Sequence, residues 1–177
     1  MRVALIAGAL ALAGCSGGDA NETAAANGVL PPGPVTNASA VAGEAVPAEV
    51  RALAEQTVPG MTIAEAERKE REGRVYYDVE GTRPDGSEVE LDMLEEKGAF
   101  RVVEIQRDIA WSEAPAAAIA AARAAAGAFA PERVIESTQT DGTVIYELFA
   151  PGRTDEPAME VRMKDGKAEL LGERWAH

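Results

Sequence analysis

From residue 46 onward the apolar positions follow two periods, and the two periods occur in the same order twice. The stretch "VPAEVRALAEQTVPG" (46–60) places Val46, Val50, Leu53 and Thr57 on one helical face, with Arg51 and Glu55 paired across a turn outside it. A second Pro-led run, "APAAAIAAARAAAGAF" (114–129), repeats this with Ile119, Ala122 and Ala126; a helix of alanines forms readily but buries little. Each helix is followed by alternation with period two. "GRVYYDV" (73–79) and "GTVIYEL" (142–148) align residue for residue and turn Val75, Tyr77 and Val79, like Val144, Tyr146 and Leu148, toward a core. "SEVELDM" (87–93) and "AMEVRMK" (158–164) also alternate, with Val89, Leu91 and Met93 inward and Glu88, Glu90 and Asp92 on the solvated side. Asp85-Gly86, Asp141-Gly142 and Asp165-Gly166 supply turns, and the last strand of each copy spans 99–105 and 167–173.

One stretch carries conflicting signals. "TIAEAERKERE" (62–72) has a capping-box pattern at Thr62 and Glu65 and charge pairs at helical spacing, yet its counterpart "RVIESTQT" (133–140) is β-branched. The duplication takes precedence, so 63–71 is predicted to be a strand. The expected fold is α+β: two repeats, 46–110 and 111–177, each one helix packed on an antiparallel sheet of about four strands. A lone core of this size supplies only about 3–5 kcal/mol, so the two copies are expected to pack together.

The residues that carry this pattern resemble those of the PepSY and PepSY-like domains. The resemblance rests on the Pro-led helix, the Pro59-Gly60 step, Gly73, Tyr77 and Val79 in Gly-x-x-x-Tyr-x-Val, and Val89 to Asp92 in Val-x-Leu-Asp. It covers about 46–105 and, more weakly, 114–175. It implies the helix-and-antiparallel-sheet architecture shared with β-lactamase-inhibitor-like proteins, often in tandem in secreted or envelope-anchored bacterial proteins. It also implies binding or inhibition, including restraint of peptidases, rather than catalysis. The chain departs from the family where many members carry Asp-x-x-Thr-Gly: here it reads "DMLEEKG" (92–98) and "RMKDG" (162–166), without the threonine.

The beginning of the sequence changes the expected location. Arg2 precedes an apolar run, 3–12, that is too short to span a bilayer, for which roughly 20 apolar residues are needed. Leu12-Ala13-Gly14-Cys15 resembles the bacterial lipobox, and Cys15 is the one cysteine of the chain. The expectation is a signal peptide over 1–14 and a diacylglycerol thioether on Cys15; Ser16 resembles outer-membrane sorting. The expected location is the periplasmic face of the envelope, with the lipid as the only membrane contact. Residues 15–45, rich in Gly, Ala, Asn and Pro, are expected to form a flexible linker spanning ~30 Å as a random coil. A second cysteine being absent, the fold stands without disulfides.

Composition narrows the chemistry further. With 17 basic against 30 acidic side chains and a net charge of -13, the chain disfavours nucleic acid and anionic lipid as partners. The single histidine is the last residue, His177, so nucleophile–histidine pairs and zinc sets lack their parts. Glu88, Glu90 and Asp92 share one strand face, where they form either a solvated surface or a site for calcium or acid–base work; the solvated surface is the expected one, with no metal or other cofactor. Tyr76, facing away from Tyr77, and Trp111, between the repeats, are candidate contacts for a partner, together with Glu88 and Glu90; Trp111 also suits packing of one repeat on the other. The expected function is non-enzymatic binding of an envelope protein or peptide, such as a peptidase. The alternatives are a structural or assembly lipoprotein of the outer membrane and, third, a carboxylate hydrolase.

Overall fold

The computed structural model describes residues 37–153 and 155–175. In chain order the elements are β1 (Asn37–Ala40), α1 (Ala48–Thr57), β2 (Thr62–Arg71), β3 (Arg74–Thr82), β4 (Glu88–Glu96), β5 (Ala99–Asp108), α2 (Ala116–Ala124), β6 (Arg133–Gln139), β7 (Val144–Phe149), β8 (Met159–Lys164) and β9 (Lys167–Leu170), with short 3-10 turns ahead of both helices. The nine strands form one antiparallel sheet in sequence order, β1 to β9. The fold is therefore α+β, but built on one continuous sheet rather than on two of four strands each.

Local chemistry explains the elements. Pro47 and Pro115 stand at the helix N-caps, where their fixed φ suits entry and no N–H is required. Glu72-Gly73, Lys97-Gly98 and Asp165-Gly166 each hold two consecutive residues at positive φ, the geometry of tight hairpin turns. The disputed stretch 62–71 is a strand. Its Arg68–Glu70 ion pair, at 2.7 Å, joins residues two apart, which share a face in a strand and not in a helix. β3 pairs along its length, apart from the irregularity at Ala64, and β1 pairs with Glu67–Glu70 on the other side, so tertiary pairing of its backbone overrides local helix propensity.

Two cores lie beneath the helices. Val46, Val50 and Ala54 pack on Val79, Leu91 and Met93; Ala118 and Ala122 pack on Val134, Tyr146, Leu148 and Val161. Ile105 packs on the first core and stands opposite Thr138, whose strand brings Val134 of the second core to the same face two pairs further on. Both helices therefore cover one face of the sheet. Among the described residues no helix lies on the other.

Four further expectations need correction. Residues 37–40 pair with β2 as an edge strand, within the span expected to be linker. The second helix ends at Ala124, so Ala126 is exposed beyond it instead of lining its buried face, and β9 ends at Leu170 rather than 173. Asp92, expected on a solvated face, is only 1% exposed.

Candidate functional site

The helix-free face carries a row of acidic and amide side chains at its centre. The strand register sets Glu67 opposite Asp78, Asp78 opposite Asp92, Asp92 opposite Glu104, and Glu104 opposite Gln139, one residue from each of β2 to β6. A parallel row holds Glu65, Glu80, Glu90, Gln106 and Ser137. Directly opposed side chains in a sheet stand about 4.5–5.5 Å apart, a spacing at which like charges destabilise. Yet Asp78, Asp92 and Glu104 are all buried, Glu104 completely.

Two backbone irregularities shape this row. A bulge between Asp92 and Met93 leaves Val103 without a partner on β4 and turns it to the helix-free face, where it packs with Tyr76 and Leu94. A second bulge, at Ala64 on β2, lies between the Ile63–Gly81 and Glu65–Glu80 pairs. At Gly81 a Cβ would come within 2.3 Å of the Thr62 carbonyl oxygen, so the close approach of β2 to β3 depends on the missing side chain.

The carboxylates share few counter-charges. Lys69 Nζ contacts Asp78 Oδ2, and Lys69 also lies 3.6 Å from Glu67. Gln106 Nε2 donates to Asp92 Oδ2 at 3.2 Å, and Gln139 Nε2 donates to Glu104. Asp78, Glu90 and Asp92 each offer an oxygen within 4.8 Å of the others. Burial above all, then the charges of Asp78, Glu104 and Glu90, holds the Asp92 carboxyl well above the ordinary range. Burial, then Asp78 and Glu80, pushes Glu90 up to about 7, against a smaller opposing pull from Lys69. Burial disfavours the Lys69 ammonium, but the adjacent Asp78 outweighs it and raises Lys69 overall. At neutral pH this cluster retains protons that an open strand face would release.

Such an arrangement can store a proton or, once ionised, contribute oxygens to a cation. Lys69 already supplies the positive charge at Asp78. Cleavage by paired acids would need a substrate to reach Asp78 and Asp92, which are 5% and 1% exposed.

Glu90 also faces an open cavity of about 350 Å³ at the other end of these strands. One wall is formed by Glu80, Glu88 and Glu90, and the other by Arg107, Asp108 and Arg133, with Gly81, Val89 and Ile135 among the apolar lining. Arg107 is paired with Glu136 at 2.7 Å and Arg133 with Asp108 at 2.9 Å. None of Glu80, Glu88 and Glu90 makes an ion pair among the described residues.

Of the residues singled out in the sequence, Glu88 is exposed and Glu90 half-buried, and both line this cavity. Tyr76 is not an exposed contact: it is 3% exposed, because the Val103 bulge and Leu94 close over the face it points to. Trp111 lies in the 3-10 turn before α2 and packs, half-buried, against the second core. Cys15 lies outside the described residues. Asp78 and Glu104 were not singled out, although alternation from Tyr77 and Val79 already turns Asp78 to the face of Glu90 and Asp92.

Comparison with known proteins returns one family. No curated protein sequence and no solved structure matches this chain. Residues 47–93, from the N-cap of α1 to Met93 on β4, match the family described as peptidase propeptide and YPEB domain, PepSY. That span contains Lys69, Asp78, Glu90 and Asp92, and over it the chain is PepSY-containing.

Proposed function

We propose that this chain is a non-enzymatic lipoprotein of the bacterial envelope whose PepSY-containing fold binds a protein or peptide and restrains a peptidase. The observation that carries this reading is the PepSY match over residues 47–93, a family associated with propeptide and inhibitor-like roles. The fold is consistent with it: one sheet face is covered by helices, while the other presents a polar surface and a cavity with uncompensated carboxylates. In this reading the second half of the chain, a helix followed by four further strands, is a diverged copy of the first. The alternation of inward residues in β3 and β7 supports that duplication.

Crosslinking in intact envelopes with the lipidated protein as bait, read by mass spectrometry, tests the reading. Recovery of a peptidase whose activity falls when the purified protein is added is expected. Recovery of outer-membrane assembly machinery without any peptidase would replace this reading with the structural one. Anchoring has its own test: Cys15→Ser is expected to move the protein out of the membrane fraction or leave an uncleaved precursor, and unchanged processing and location would refute lipidation.

A further inference from the structure

Building on the reading of this chain as a binding protein, we propose that the cavity between the β3–β4 end and the β5–β6 junction receives a lysine or arginine side chain of the partner peptide. Charge complementarity identifies the occupant. The two arginines of the cavity are already neutralised by Glu136 and Asp108, through ion pairs at 2.7 and 2.9 Å. The facing wall of Glu80, Glu88 and Glu90 has no ion pair among the described residues and so leaves a net negative hollow. Ile135, half-buried in the lining beside Gly81, supplies apolar surface for an aliphatic stem, leaving the charged head to the carboxylates, as long basic side chains prefer. A volume of about 350 Å³ accommodates one such side chain. The overall charge of -13 adds long-range attraction for a basic segment.

The buried cluster gives this docking a pH dependence. Glu90 is common to the cavity wall and the cluster. The groups around it are Asp78 and Glu80 on β3, Lys69 on β2, Asp92 on its own strand, and Glu104 and Gln106 on β5. An arriving ammonium or guanidinium favours the ionised carboxylate, so docking releases a proton from Glu90 whenever it is protonated beforehand. Affinity for a basic side chain therefore rises as pH increases through about 7, the region to which burial pushes Glu90.

The test is a titration of the folded, unlipidated chain with two short peptides, Ala-Ala-Lys-Ala-Ala and Ala-Ala-norleucine-Ala-Ala with blocked ends, followed by NMR. Lys-peptide shifts confined to residues of β3–β6 around the cavity, absent with norleucine, are expected. Affinity should weaken at least threefold in E80Q/E88Q but not in E49Q/E55Q, which removes the same charge from the exposed side of α1. It should also be several-fold stronger at pH 8 than at pH 5.5. Shifts spread over the acidic surface, or equal losses in both double variants, would overturn the docking site. Cavity binding without pH dependence would overturn the proton coupling. If basic peptides fail while a peptidase is still captured from envelopes, the cavity proposal falls and the broader reading stands.

Discussion

Replacing Glu90 by glutamine tests the electrostatics of the sheet directly. The folded state holds this carboxyl at about 7, whereas an unfolded glutamic acid titrates near 4.5, so between these values the native protein keeps a proton that the unfolded chain has lost. Stability therefore falls as pH rises across that window and is lowest, as far as Glu90 is concerned, above about 7. At about 1.4 kcal/mol per unit, a displacement of two to three units corresponds to about 3 kcal/mol. Asp92, also raised, acts in the same direction. Glutamine mimics the protonated acid. Urea denaturation at pH 5 should give wild type and Glu90→Gln similar stability, while at pH 8 the variant should be more stable by up to about 3 kcal/mol. Glu88→Gln, on the same strand but exposed, should show little such divergence and so controls for general relief of negative charge. Equal stability of Glu90→Gln and wild type at every pH, or a variant losing stability at pH 8, would refute a proton-retaining cluster.

Two further substitutions probe how the cluster is held. Lys69→Met removes the cation from buried Asp78 and should cost on the order of 2–4 kcal/mol at pH 8, measured by urea denaturation. Gly81→Ala forces a Cβ against the Thr62 carbonyl and should destabilise by about 1–3 kcal/mol, with NMR shift changes concentrated in β2 around the Ala64 bulge.

The periodicity of the chain is enough to place the strands of both halves and the inward residues of β3, β4 and β7, because those faces bury against helices and alternation follows directly. Even the charged stretch 62–71 was legible, through its counterpart at 133–140. What escaped was set by tertiary placement. Asn37–Ala40 has no apolar pattern and becomes a strand only because β2 offers it an edge. Joining of the halves into one sheet rests on the main-chain pairing of β5 with β6, from Glu104–Gln139 to Asp108–Ile135, which no side-chain pattern announces. The site was half visible. The sequence sets Glu90 and Asp92 together, but alternation distinguishes only two faces, and a polar residue on the helix-free face reads as solvated. The register of five strands and the bulge at Val103, which also buries Tyr76, turn that face into a buried carboxylate row.

Site-specific photocrosslinking in living cells, with a photoreactive phenylalanine analogue at Glu88 in one strain and at Glu49 in another, tests the central claim most directly. Glu88 borders the cavity and Glu49 lies on the outer side of α1, both within the span that matches PepSY. A partner adduct formed from position 88 and not from position 49, containing a peptidase, is the predicted result. Adducts from position 49 alone, or equally from both, would contradict binding at this end of the sheet.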